Sequence, residues 1–341
     1  MKKRMINWIF WTVFFACILL AVSIFSLCVG SSDLPVKKIF SIIFQNSDTI
    51  QRSILLDIRL PRIILGFAVG GALSLAGIIL QGLFRNPLVE PYTLGISGGA
   101  ALFVCLNIVL GLHQAYSIFS FPFSGILGGG IIVFLLYFLS VKRRILNIQE
   151  LLLTGVMLSF ISSSLIMLIM SVSRAEDLHG IVFWIMGSLE TPDGVLIKTV
   201  FFISILSLIV SYLFCLDLNA FSLGEEEALH LGVNTERTKR LLFILASILT
   251  GLSVSTCGII GFVGLAVPHF IRMFVGSDYR ILLITSFIAG AAFLIFCDTI
   301  ARTIIAPMEL PVGVITGILG GGLFIYALNK KKMFFGRKDN V

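Results

Sequence analysis

Apolar runs of about twenty residues recur along the whole of this chain, divided by short polar breaks, and a run of that length is what a helix needs to cross a bilayer. The first extends from about Trp8 to Val29 and at helical rise reaches about 33 Å. The second, Ile63 to Leu80, carries no charge but holds Gly66, Gly70, Gly71 and Gly77. In water so many glycines weaken a helix; in a bilayer they let neighbouring helices approach closely. The break at Arg85-Asn86-Pro87 turns the chain. Further runs follow at about Thr93–Leu112, Phe121–Leu139, Leu151–Met170, Val195–Phe214, Leu241–Ile260, Ile281–Thr299 and Val312–Leu328. The stretch Gly261–Gly276, with Pro268, His269 and Arg272, reads as one more span, short, tilted or broken. The pattern predicts an all-α polytopic membrane protein, with the whole of 1–341 as a single transmembrane domain.

Charge fixes the orientation and the count. Basic residues cluster at Met1–Arg4, Lys142-Arg143-Arg144, Arg237–Arg240 and the tail with Lys330, Lys331, Lys332, Arg337 and Lys338, and such clusters stay cytoplasmic. Two cytoplasmic termini require an even number of spans, so ten is favoured over nine. Ser31–Leu60 then lies outside, with a short surface helix near Val36–Phe44 after Pro35. Ser173–Asp193 reads as an outside loop with Trp184 at the headgroup level. Arg52, Arg59 and Arg62 fall outside against the rule and demand an explanation.

Composition narrows the function classes. Of 341 residues 57% are hydrophobic and 13% charged, against about a quarter charged in soluble domains. The net charge of +7 sits in loops and tails and does not argue for nucleic acid. The six cysteines form no CxxC pair and read as small hydrophobes. No GxxxxGK[ST] phosphate loop, no HExxH and no His/Cys cluster with metal spacing is present. The spans lack the series of acidic residues of a proton-driven pump. Asp298 reads as a local hydrogen-bonding group or as a partner for Arg302, one turn on. No cofactor is expected on this chain.

The most informative polar stretch is Asp217–Arg240, DLNAFSLGEEEALHLGVNTERTKR. Ser222 is placed to cap a helix starting near Gly224, with Glu225 completing a capping box, and Gly232 to stop it. A short capped helix in a tight cytoplasmic loop suggests a docking surface for a partner. A shift of 181 residues lays Gly70, Ser74, Gly77, Ile78, Ile79 and Pro87 on Gly251, Ser255, Gly258, Ile259, Ile260 and Pro268. With opposite directions of travel, this suggests an inverted repeat of spans 2–5 on spans 7–10, as transporters use.

Several motifs carry a resemblance: RLPRII at Arg59–Ile64, GGALSLAGIILQGLFRNPLVEPYTLGISGGA, LLLTGV at Leu151–Val156, WIMGSLE at Trp184–Glu190, LGEEEALHLGV at Leu223–Val233, GIIGFVGLAVPHFIR at Gly258–Arg272 and ELPVGVITGILG at Glu309–Gly320. Over nearly its whole length the chain resembles the BtuC/FecCD-type permease subunits of ABC importers for iron–siderophores, heme and vitamin B12. The resemblance implies the type II importer permease fold, with ten helices per subunit in a bacterial or archaeal cytoplasmic membrane. It implies a second permease subunit, two cytoplasmic ATPase subunits that carry ATP and Mg, and an extracytoplasmic substrate-binding protein. By the same resemblance Arg59, Arg62 and Arg302 dock the binding protein. Leu223, Gly224, Glu225, Glu226, Ala228, Leu231, Gly232 and Val233, within 217–240, couple to the ATPases. Gly70, Gly71, Gly77, Gln81, Asn86, Pro87, Gly258, Gly264, Pro268 and Gly317 serve helix packing and the pathway. One departure stands out: Gly320-Gly321-Gly322-Leu323-Phe324 replaces a GxPxF pattern, so a kink in the last span is in doubt. A ferric siderophore is the favoured cargo, with heme, cobalamin and molybdate as alternatives. An ion-gradient-driven secondary transporter and a membrane scaffold are the readings from other classes.

Overall fold

A computed structural model describes residues 2–30, 50–112, 119–141, 148–190 and 193–335. The expected surface helix at Val36–Phe44, the Lys142–Arg144 cluster and the tail residues Arg337 and Lys338 lie outside these. Every regular element among the described residues is helical: α1 (Lys2–Cys28), α2 (Ile50–Ser53), a π-helical turn (Ile54–Arg59), α3 (Leu60–Phe84), α4 (Ile96–Val109), α5 (Ser120–Val141), α6 (Ile148–Val172), α7 (Ala175–Met186), α8 (Gly194–Leu213), α9 (Cys215–Leu223), α10 (Glu225–His230), α11 (Thr235–Cys257), α12 (Val263–Val275), α13 (Tyr279–Ala301) and α14 (Val312–Phe335).

The bundle is built around α3. From Ala68 to Phe84 every residue is buried, as expected of a helix apolar on all sides. α13, α11, α8 and α12 pack around it. By contrast α1 and α6 expose Phe10, Phe14, Leu20, Phe160, Met167 and Leu168, apolar faces suited to lipid. Among the described residues six helical stretches are long and apolar enough to cross a membrane, and four shorter apolar helices accompany them.

Side chains tie the two faces of the bundle. At one face Arg4, in the first turns of α1, pairs with Asp278 at the start of α13 (3.0 Å), and Asn219 of α9 donates to Asp278 (3.1 Å). At the other, Arg59 donates to the carbonyls of Leu27 and Cys28 (2.5 and 3.1 Å), and Arg302 donates to Ser26 at the far end of α1. α1 and α13 thus run in one direction and α3 in the other.

Two expectations need correction. The stretch Ser173–Asp193 is not a plain loop, for it contains α7. Glu176 and Asp177 lie in the first turn of α7, where the helix dipole favours acids. Its inner side seats Ile181 and Trp184 on Ala101, Cys105 and Ile166 of α4 and α6, so the indole packs within the protein, half-buried. Gly317 is not a packing glycine within this chain: a methyl there would meet nothing within 4 Å. α14 instead makes its close approaches through Gly313, against the Met186 and Ile259 carbonyls, and Gly320, against Phe262.

Gly70 and Gly77 do set helix separations. A methyl at Gly70 would collide with the Gly290 carbonyl of α13, and one at Gly77 with the Gly264 carbonyl of α12. Gly71 lies under the ring of Phe287. Backbone cannot yield as a flexible side chain does, so overpacking here should cost about 1–3 kcal/mol. Gly77→Ala is therefore expected to lower the thermal unfolding midpoint of the purified protein, and Gly317→Ala to leave it unchanged. Equal midpoints for the two variants would contradict the packing assignment.

Candidate functional site

Two of the apolar helices are too short to span by themselves and depend on the irregular chain before them. α4 has 14 residues and α12 has 13, about 21 and 20 Å of helix against a hydrocarbon core of about 30 Å. Each is preceded by irregular chain, 85–95 before α4 and 258–262 before α12. Where such a segment dips below the bilayer surface, its backbone amides and carbonyls must find partners inside the protein, because lipid offers none.

The break before α12 shows how this is met. Ser188 N–H donates to the Cys257 carbonyl (2.9 Å), and Ile260 N–H donates to the Tyr92 hydroxyl oxygen (2.8 Å). Tyr92 sits in the other break, whose backbone is held in turn by the Ser159 hydroxyl donating to the Tyr92 carbonyl (2.9 Å). The two breaks are thus bonded to each other. Gly258 adopts φ +72°, and a side chain there would collide with the Trp184 carbonyl, so glycine is required twice over.

Pro268 lies inside α12. It has no N–H to return to the carbonyl four residues back, which is that of Gly264. The Gln81 side-chain amide of α3 donates to that same carbonyl (3.2 Å), and Gly77, one turn earlier, leaves room for the carbonyl to approach. Gly77, Gln81, Gly264 and Pro268 therefore form a single device. In the other break, Asn86 Oδ1 accepts from Leu88 N–H (3.0 Å), an Asx turn, and Pro87 follows where the helix has ended. Arg85 caps α3 in the left-handed region (φ 49°).

The arginines of the outer cluster are all buried: Arg59 3%, Arg62 7% and Arg302 7% exposed. Each has partners within the chain. Arg62 pairs with Glu309 (2.8 Å) and reaches Glu190 (3.5 Å), both on surface segments. Arg302 pairs with Asp298 (3.3 Å), as the one-turn spacing predicted, and donates to the Ser26 carbonyl and hydroxyl (2.5 and 2.7 Å). Only the Asp298 pairing was legible in the sequence; the other partners are main-chain groups of α1 and two distant glutamates.

At the opposite face, the one that holds Arg4 and Asp278, α9 and α10 meet at Gly224 (φ +149°). The expected capping box is not formed. The Ser222 hydroxyl donates to the Asn219 carbonyl (2.6 Å) instead, and Gly224 occupies the N-cap without a side-chain bond. The carboxylate of Glu225 is taken by Lys239 of α11, and Ala228 is fully buried beneath it. Gly232 does turn the chain (φ +84°), and Asn234 then caps α11 by accepting from Arg237 N–H (3.0 Å). Thr238 donates to Asp217 (2.9 Å). Glu226, Leu223, Leu229 and Leu231 are left exposed, the three leucines by 65%, 54% and 64%. Asp278, which anchors this module through Asn219, has its carboxyl held down to about 2, chiefly by the Arg280 guanidinium. Neither the Asp278 hub nor Tyr92 stands out in the sequence, since both act on groups far away in it. Among the described residues no group of acids, histidines and cysteines could hold a metal ion.

Residues 18–330 match the FecCD transport family. The hemin transport system permease HmuU of Yersinia pestis is 39% identical over 279 residues, covering 81% of this chain and 83% of its own. The molybdate import permease MolB of Haemophilus influenzae is 35% identical over 327 residues, with 93% and 95% covered. A solved chain described as of the metal-chelate type of ABC transporter, in an inward-facing conformation, superposes with a TM-score of 0.82 at 31% identity, over 95% of this chain and 99% of its own.

Two predictions test the breaks. Gln81→Leu leaves the Gly264 carbonyl without its donor and should destabilise the protein by about 1–3 kcal/mol. In a Pro268→Ala background, where an N–H is restored, the same change should cost less; additive effects in thermal unfolding would refute the pairing. Glu90, in the loop before α4, has its Oε2 enclosed without a partner, and burial pushes its carboxyl up to about 7. A raised acid favours the fold while protonated, so this contribution is full below about 4.5 and is lost as pH rises towards 7. Glu90→Gln should therefore flatten the fall in unfolding midpoint between pH 5 and 8, and an unchanged pH profile would rule Glu90 out as its source.

Proposed function

The chain belongs to the FecCD transport family, and from that premise we propose how this subunit works within its importer. It is a membrane permease subunit of an ABC importer for a metal chelate, without catalytic activity of its own; ATP hydrolysis belongs to a separate subunit. The likeness to a hemin permease and to a metal-chelate transporter supports a ferric chelate, a siderophore first, as cargo. Heme, cobalamin and molybdate are the competing substrates.

The observation that carries the working model is the module at Cys215–His230. Two short helices hinge at Gly224, are tethered to the bundle by Lys239 and Asp278, and turn three leucines to solvent. This suits a docking element for the ATPases: an exposed apolar tip, with a firm base that passes a push to α11 and α13. Residues 217–240 are the coupling region, with Leu223, Gly224, Glu225, Glu226, Ala228, Leu231, Gly232 and Val233 as its parts. The module lies on the face that gathers Arg4, so both are cytoplasmic in this reading.

The two short helices with their bonded breaks support an inverted repeat, α3 with α4 answered by α11 with α12, and a count of ten crossings that includes the four shorter helices. The whole of 1–341 then acts as one transmembrane domain, paired with a second permease subunit. On the outer face, docking of a binding protein by Arg59, Arg62 and Arg302 requires exchange of partners. Arg62 is best placed, because a carboxylate of the incoming protein can replace the exposed Glu190 or Glu309 without leaving the guanidinium unpaired.

The deciding experiment expresses the chain with its ATPase. Leu223→Glu with Leu231→Glu should abolish ATPase co-purification and ATP-dependent uptake of labelled ferric chelate, with the unfolding midpoint kept. Retained co-purification would defeat the coupling assignment. Uptake that survives ATP depletion would move the protein to the gradient-driven class.

A further inference from the structure

Two carboxylates share the buried guanidinium of Arg62, and they differ in kind. Glu309, ahead of α14, stands at 2.8 Å with its side chain 49% exposed. Glu190, behind α7, stands at 3.5 Å with its side chain 75% exposed. An ion pair open to solvent contributes little, whereas stranding a buried charge costs a great deal. Glu309 alone keeps Arg62 paired, so Glu190 is the partner that can leave. Glu190 ends a segment with further attachments. The Gly187 carbonyl accepts from Val312 N–H (3.1 Å), Ser188 N–H donates to the Cys257 carbonyl (2.9 Å), and Leu189 is buried beside Gly66. Residues 187–190 thus join α7 to α14 and to the break before α12. Among the described residues the Arg62–Glu190 pair is their ionic tie to α3.

We propose that Glu190 is a built-in competitor of the binding protein: its carboxylate holds Arg62 in the free permease, and a carboxylate of the docking partner displaces it and releases residues 187–190. This exchange rests on the docking at Arg62 proposed above, and adds which internal group gives way and where its release is felt. Carboxylate replaces carboxylate while Glu309 stays in place, so the guanidinium is paired throughout. The released segment is one hydrogen bond, Ser188 to Cys257, from the break whose Ile260 N–H is held by Tyr92. Docking at the surface is thereby reported to the bonded breaks without any movement of α3.

The test measures binding of the importer's extracytoplasmic binding protein to the full-length permease in lipid nanodiscs, and hydrogen exchange at the Ser188 amide of the free permease. Glu190→Gln should tighten binding by about fivefold, the upper end of what an exposed ion pair is worth. It should speed exchange at Ser188 by a similar factor. Glu176→Gln removes an acid from an exposed position in the first turn of α7, away from Arg62, and should change neither. Equal tightening by the two variants would reduce the effect to general charge and overturn the proposal, as would unchanged exchange in Glu190→Gln. Arg62→Gln tests the docking reading by itself, combined with Glu309→Gln if the single variant does not fold. Docking of that variant as tight as wild type would overturn the docking reading and the competitor role with it. Weakened docking there, with Glu190→Gln binding no tighter than wild type, overturns the competitor role alone.

Discussion

The carbonyl of Gly264 concentrates the constraint under which this protein is built. In a hydrocarbon surround an unpaired backbone group costs several kcal/mol, and a proline four residues on removes the donor that a regular helix would supply. The donor comes from Gln81 on another helix, and can come only because Gly77 lets α12 approach α3 at backbone distance. The closest packing in the core and the satisfaction of its most exacting polar group are thus one event. The bonds of Tyr92 and Ser188 extend the same solution to the neighbouring break. Once these bonds are made, α3, α11 and α12 have little freedom relative to one another.

That economy explains what could be read in the sequence and what could not. Long apolar runs are a property of the chain itself, so α1, α3, α6, α8, α11 and α13 were legible from hydropathy, and so was the broken character of Gly261–Gly276 from Pro268. Gly77, Gln81, Gly264 and Pro268 were recognised as functional residues by resemblance, but not as one device. Their spacing in sequence says nothing of which carbonyl lies opposite which amide. The capping box failed for a related reason. Ser222 and Glu225 have the right spacing, but Lys239, from the next helix, takes the glutamate, and a charged partner outweighs the N–H of an exposed helix end. α7 was missed because its apolar positions, needed on one side only, are too few for a span and were taken for loop. Gly317 has no close neighbour within this chain, which hydropathy cannot reveal, because a glycine in an apolar run looks the same whether a neighbouring helix approaches it or not.

Charge is used differently at the two faces of the bundle. At the Arg302 face the arginines are buried and each is held by groups of this chain, Asp298, Glu309 and the last carbonyls of α1. Removing one partner from such a pair strands a charge, so this face resists change unless another carboxylate takes the vacated place. At the Arg4 face the charged anchors Asp278 and Lys239 sit beneath a tip of exposed leucines.

A stiff centre joined to two dissimilar faces bears on how transport is powered. ATP hydrolysis belongs to a separate subunit, so under the proposed coupling the push comes from one face of the bundle. Under that proposal, a push on Leu223, Leu229 and Leu231 would reach α11 through Lys239 and α13 through Asp278. α13 in turn carries Asp298 and Arg302 at the opposite end, locked to α1 and close to Arg62. Helices bound by backbone-distance contacts transmit such a displacement as rigid bodies rather than absorbing it. Under the proposed coupling, the same elements that satisfy the backbone within the membrane provide the mechanical path between the two faces, and a single helix, α13, bears on both ends of it.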